Sequence, residues 1–171
     1  MDFLELVKER YSERFFSNKP VEREKLDKIL EAGRLAPTAC NFQPQRFYVL
    51  RSQKALEQAA TAMPFTYNSH TIILVCYNKN EVWRNKREEG YNSGEQDISI
   101  AASAMMYEAE SIGVHSLWIR GFNSVTVSKV FNLPNNIIPG MFLALGYPSE
   151  KSTPSDWHFK RKPIEKMVIE L

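Results

Sequence analysis

The sequence has little of what usually announces a function. Its 171 residues include only seven glycines, none spaced as G-x-G-x-x-G or G-x-x-x-x-G-K-[ST], which excludes a glycine-rich phosphate loop. The nucleophile signature G-x-S-x-G is missing as well. Two cysteines, Cys40 and Cys76, are too few for a disulfide scaffold and fit a reducing cytoplasm. The three histidines, His70, His115 and His158, are scattered without metal-ligand spacing, so no metal is expected. With 22 Lys plus Arg against 20 Asp plus Glu, the formal charge is only +2. That lacks the basic excess of a general nucleic-acid binder but leaves room for a local cationic pocket. The longest apolar run, Ile72 to Tyr77, falls far short of the roughly 20 residues of a membrane-spanning helix. Acids stand near the N-terminus where a secretory signal carries a basic region. The expectation is a cytoplasmic protein with neither membrane nor nucleic acid as partner.

What is present is ordinary globular composition, 43% hydrophobic and 25% charged. No linker, repeat or low-complexity segment divides it, so residues 1–171 read as one domain. A first helix is expected from Asp2 to about Arg10, with Phe3, Leu6 and Val7 inward. A second is expected from Pro20 as a first-turn residue to about Leu35, stopped by Pro37. Phe47–Leu50, Thr71–Tyr77, Val114–Ile119 and Met141–Leu145 read as strands, with Thr71–Tyr77 apolar enough to be buried on both faces. Gln53–Ala62 and Ser124–Phe131, the latter with Ser124 as N-cap, read as helices. The longest helix runs from about Gly94 to Ile112, ending at Gly113. Its apolar seam Ile98, Ala102, Met105, Ala109 and Ile112 is widened by Ala101, Ala104 and Met106, so it is buried on more than one side. Strands and helices alternate irregularly, which predicts an α+β fold.

Three polar clusters could carry chemistry, and each alone reads more simply as surface. Arg10-Tyr11-Ser12-Glu13-Arg14 offers two guanidinium forks and a hydroxyl to a phosphate, or is an exposed basic helix end. Ala36 to Pro44 offers small residues and the amides of Asn41 and Gln43 to a planar ligand, or is a connecting loop. Lys160-Arg161-Lys162 is a second cationic site or a solvated run. Cys40 has no identifiable histidine partner.

Their order along the chain is more informative. Arg10-x-Ser12-x-Arg14, Pro20-Val21, Leu26-x-x-Ile29-Leu30-x-Ala32 and Ala36-Pro37-Thr38-x-x-Asn41-x-Gln43-Pro44 together resemble the opening of the FMN-dependent nitroreductase family. Asp97, Gly113-Val114-x-Ser116-x-Trp118-Ile119-x-Gly121-Phe122, Leu133-Pro134, Leu145-Gly146-Tyr147-Pro148 and Arg161-Lys162-Pro163 extend the resemblance over nearly the whole chain.

The resemblance implies a nitroreductase-like three-layer α+β fold in its short form. A central, mostly antiparallel sheet is flanked by helices, in an intertwined homodimer with two FMN at the subunit interface. It implies that Arg10, Ser12 and Arg14 hold the FMN phosphate and ribityl chain, joined by Arg161 and Lys160, with Tyr11 at a position where the family usually has another residue. It implies that Pro37, Thr38 and Ala39 lie against the flavin from the other subunit, with Asn41 close by. Trp118, Ile119 and Gly121 pass the ring, a backbone N–H aimed at its reactive nitrogen. An asparagine or glutamine is expected at the ring's far edge, and the 58–70 stretch does not align without gaps. Gln45 replaces a residue often aromatic, and Arg120 is an unusual cation beside the ring-passing segment. The implied activity is ping-pong electron transfer from NADH or NADPH through FMN to a small-molecule acceptor such as a nitroaromatic or quinone, with no side chain acting as acid or base. A protein that binds FMN without turnover, a sensor or carrier, has the same binding features. A soluble α+β domain with incidental basic clusters is the third reading.

Overall fold

The computed structural model describes residues 2–63 and 65–171. Four strands form one sheet in the order β1-β2-β4-β3, every neighbouring pair antiparallel. They are β1 (Gln45–Leu50), β2 (Thr71–Asn78), β3 (His115–Ile119) and β4 (Ile137–Gly146). Among the described residues, five α-helices surround them: α1 (Phe3–Glu9), α2 (Arg23–Leu35), α3 (Gln53–Ala62), α4 (Gly94–Ser111) and α5 (Ser124–Val130). The fold is α+β, as expected.

The two-residue period of the central strands divides the core into two halves. Ile72, Leu74 and Cys76 of β2 join Phe142 and Ala144 of β4 on one face, under Ala59 and Ala62 of α3 and Val127 of α5. Ile73 and Val75 join Met141, Leu143 and Leu145 on the other, under Leu26 and Ile29 of α2 and the α4 seam. Ile98, Ala102, Met105 and Ala109 of that seam are fully buried and Ile112 is half-buried. Gly33 lets α2 lie close to α4, since a Cβ there would stand 2.8 Å from Met105 Cγ. The end of α4 is a Schellman motif. Gly113 takes φ +72°, its N–H bonds Glu110 O at 3.0 Å, and Val114 N–H bonds Ala109 O at 2.8 Å.

Several expectations need correction. Helix α2 begins at Arg23 after Glu22, so Pro20 precedes the helix and is not in its first turn. Asn123, not Ser124, caps α5, its side chain accepting from the N–H groups of Val125 and Thr126. Strand β4 starts at Ile137, four residues early. Pro139 and Gly140, which look like a break, are absorbed where the β2–β4 register shifts between Val75 and Cys76. Phe3 is 59% exposed, stacked edge-on against Tyr107 of α4 and not inward. Among the described residues, no helix is long and apolar enough to cross a membrane.

Candidate functional site

Strand β3 lies at one edge of the sheet, and the segment leaving α1 runs along it. Ser12 bridges Ser116 in parallel, and Glu13 N–H bonds Ser116 O at 3.1 Å. The same segment then pairs with the chain after β4. Phe16 bridges Pro148, Ser17 N–H bonds Tyr147 O at 2.8 Å, and Ser149 N–H bonds Phe15 O at 2.8 Å. This double attachment brings the two distant cationic clusters to one cavity of about 170 Å³. Arg10, Tyr11, Ser12 and Arg14 form one side, and Ser155, Trp157, His158 and Arg161 the other. Three arginines and two serines lining so small a space supply the donor types of a phosphate-sized cationic cradle. Arg161 is also braced on its own turn, its Nη1 donating to the carbonyls of Trp157, His158 and Lys160 at 3.2, 2.7 and 2.9 Å. Lys160 is exposed and outside this lining.

Beneath the cradle lies a polar cluster that the sequence does not announce. Glu13 is fully buried. Its Oε2 accepts from the hydroxyls of Tyr11 (3.1 Å) and Ser152 (2.5 Å), and its Oε1 from Phe15 N–H (2.7 Å). Tyr11 thus lines the cavity with its ring while its hydroxyl turns inward, and burial raises that phenol's pKa above the usual value. His115 Nδ1 stands 3.8 Å from Glu13 Oε2. Burial pushes the Glu110 carboxyl above the ordinary range, against the opposing pull of His115 and Arg10. His115 Nδ1 and Glu110 Oε2 are both buried without a hydrogen-bond partner among the described residues.

The Pro37–Asn41 loop lies elsewhere, between α2 and β1 at the opposite sheet edge. Cys40, Asn41 and Gln43 hold φ of +49°, +56° and +52°, a left-handed run without glycine. Internal bonds support it: Asn41 N–H to Thr38 O and Gln43 N–H to Thr38 Oγ1, both 3.0 Å. Asp97, in the first turn of α4, anchors it. Its buried carboxylate accepts from Ala39 N–H at 2.8 Å and from the Ser93 hydroxyl at 2.6 Å. Pro37 and Asn41 are exposed, and Thr38 and Ala39 half-exposed.

Trp118 and Ile119 point to opposite faces of β3, Trp118 against the α2/α4 half and Ile119 into the α3/α5 half. The strand ends at Ile119, and Arg120 and Gly121 just after it stand on the rim of an open cavity of about 740 Å³ that also meets Ala60–Met63 and Asn123. The Arg120 guanidinium lies 4.7 Å above the Phe122 ring. A further cavity of about 710 Å³ shares Arg14 with the cradle and is bordered by Phe15–Asn18, Tyr67, Asn68 and Pro148–Lys151. Asn68, at φ +62°, donates to Asn18 Oδ1 at 2.8 Å and to Phe16 O at 3.3 Å. It is an amide at the cavity rim within the 58–70 stretch that would not align. Gln45 leaves its Oε1 buried without a partner among the described residues.

The sequence reading therefore placed Arg10, Tyr11, Ser12, Arg14 and Arg161 in one place, and missed Glu13, Ser152, Ser155 and His158 beside them. The only sequence signal for Glu13 is a carboxylate inside a cationic motif, where it opposes the motif's charge.

Comparison with known proteins agrees with this architecture. A model described as the nitroreductase family matches residues 7–63 and 57–147. The crystal structure of a nitroreductase family protein from Clostridium difficile 630 superposes with a TM-score of 0.92 at 36% identity, covering 99% of this chain and 98% of that one. A protein from Thermus thermophilus named NADH dehydrogenase is 29% identical, over 94% of this chain and 91% of its own. A chain from Exiguobacterium sibiricum, solved in complex with FMN, shares the fold at a TM-score of 0.85 and 22% identity, covering 100% of this chain and 98% of that one.

Proposed function

The chain belongs to the nitroreductase family, and we propose that it is an NAD(P)H-dependent FMN oxidoreductase passing electrons to a nitroaromatic, quinone or similar acceptor. In this reading residues 1–171 form one FMN-binding domain. The observation that carries it is the meeting of Arg10, Ser12, Arg14 and Arg161 around one small cavity, although 151 positions separate Arg10 from Arg161. That donor set fits a phosphate monoester, which carries close to two negative charges near neutral pH. The cavity sharing Arg14 leaves room beside it for a larger body.

FMN, when bound, supplies the chemistry that takes hydride from NADH or NADPH and returns electrons to an acceptor in the same site. The protein's part is to bind and orient. Arg10, Arg14 and Arg161 neutralise the phosphate, and Ser12, with Tyr11 alongside, holds its approach. Lys160 adds to the field from outside the lining. Asn68 is the amide we assign to the ring's far edge, on its place at the rim beside Arg14. Gly121, with open space where a Cβ would stand, leaves the backbone after Trp118 and Ile119 approachable by a planar ligand. Pro37, Thr38, Ala39 and Asn41 face the flavin of the second subunit. No side chain is required as acid or base.

The dimer is part of the proposal. Trp157, Phe159, Ile164, Met167 and Ile169 of the tail are between 64 and 82% exposed on the single chain, an apolar surface that a second copy would cover. Purification tests the reading: the protein should be yellow, NADH or NADPH added without oxygen should bleach it, and a quinone or nitroaromatic should restore the colour. Colour that neither nicotinamide bleaches would mean flavin binding without turnover. A colourless protein after incubation with excess FMN would refute the reading.

A further inference from the structure

We propose that Glu13 is a positioning residue, whose buried carboxylate clamps the Arg10–Arg14 segment to the tail that delivers Arg161. This rests on the cradle being a phosphate site. The two halves of the cradle come from opposite ends of the chain, and Glu13 joins them. Ser152 gives its hydroxyl to Glu13 Oε2 three residues before Ser155, where the tail begins to line the cavity. Tyr11, on the other half, reaches both members, with its hydroxyl 3.1 Å from Glu13 Oε2 and 2.8 Å from Ser152 Oγ. The remaining oxygen holds Phe15 N–H and so fixes the backbone just past Arg14.

Charge sharpens the argument. A fully buried carboxylate loses much solvation and needs several hydrogen bonds to be tolerated. Beneath an anion site, beside a second carboxyl at Glu110, its negative charge also works against the ligand. The imidazole that faces it is His115, whose Nδ1 stands 3.8 Å from Oε2. By electrostatics alone Glu13 weakens phosphate binding; its favourable contribution is the geometry it imposes on Arg10, Arg14 and Arg161. The two effects therefore have opposite signs in Glu13→Gln, which removes the charge but also turns one of the two accepting oxygens into a donor and so breaks part of the clamp.

The test compares FMN with riboflavin, which lacks the phosphate, by fluorescence titration of the full chain freed of flavin. Glu13→Gln and Ser152→Ala should each weaken FMN about tenfold or more and change riboflavin less than about threefold. Ser152→Thr, which restores a hydroxyl, should recover most of the loss. If Glu13→Gln binds FMN as tightly as the parent or tighter, the carboxylate acts only through its charge and the proposal falls. Equal losses of FMN and riboflavin would also overturn it, because a general structural role moves both. If Glu13→Gln fails to fold, Ser152→Ala, which removes a single half-buried oxygen, decides the question. A parent chain that binds neither flavin would refute the functional reading itself.

Discussion

Asp97→Ala should damage both stability and flavin binding, with a signature opposite to that of a cradle variant. The carboxylate is buried and satisfies two donors, Ala39 N–H and the Ser93 hydroxyl. Stranding each donor costs about 1–3 kcal/mol. Loss of a negative charge from the first turn of α4 adds about 0.3–1 kcal/mol against the helix dipole. A total of about 2–7 kcal/mol lowers the melting temperature of a chain this size by about 5–28 °C. The structural loss falls first on the loop, because Cys40, Asn41 and Gln43 stay in left-handed conformations only while their surroundings hold them. If that loop lies against the flavin ring, FMN and riboflavin should weaken by the same factor, since both carry the ring. Thermal unfolding followed by circular dichroism gives the first number, and paired flavin titrations give the second. Asp97→Asn keeps one acceptor and should fall between parent and alanine. A melting shift under about 1 °C would refute the hydrogen-bond reasoning. Unchanged flavin affinity in a destabilised variant would remove the loop from the site.

Arg10→Ala and Arg161→Ala should each weaken FMN far more than riboflavin, by about 1.5–3 kcal/mol for a charge-assisted contact, and the double variant should show coupling because both meet one group; additive losses in paired titrations would mean separate sites. Arg120→Ala should lower kcat/KM for carboxylate-bearing acceptors about two- to fivefold relative to neutral ones; equal loss across steady-state assays of both classes would place the guanidinium outside the acceptor's reach. Burial pushes the Cys76 thiol up to about 12, so the unfolded chain ionises first. Stability should then fall as pH rises above about 8.5, by at most about 1.4 kcal/mol per pH unit from this group. Urea midpoints at pH 8, 9 and 10 should show a shallower decline for Cys76→Ala; equal slopes would contradict the buried-thiol argument.

Elements with a strong period were legible from the sequence. Helix α3 has the expected ends, and the α4 seam and the two-sided burial of β2 follow from apolar spacing alone. Boundaries governed by one local choice were not. Pro139 and Gly140 look like a stop until β2 absorbs them in a shifted register, and Asn123 and Ser124 are both competent caps. The site divides in the same way. Arg10, Ser12, Arg14 and Arg161 were legible because their order along the chain resembles a family. Glu13 and Ser152 were not, since a bond between positions 139 apart leaves no periodic trace. Asn68, which we propose for the site, escaped because its backbone takes a left-handed turn inside a stretch that does not align without gaps.

If the cradle and the Pro37–Asn41 loop both serve a flavin, as we propose, helix α4 sets the distance between them. Its first turn holds the Pro37–Asn41 loop through Asp97, and its last turns carry Glu110, close enough to Arg10 and His115 to feel both. Asp97 and Glu110 are thirteen positions apart along the helix, about 20 Å at the α-helical rise. A ligand seated on the cradle therefore lies far from its own chain's loop. In the dimer we propose, a two-fold axis crossing α4 near its middle would remove the difficulty, because it would set two copies of the helix antiparallel and bring the Asp97 end of one to the Glu110 end of the other. Ile100, Ala104 and Tyr107, spaced 4 and 3, occupy that middle; Ile100 is 43% exposed and the other two half-buried on the single chain. An apolar stripe at the helix centre, with half of the proposed site at each end, is the geometry that the proposed two-fold dimer would complete.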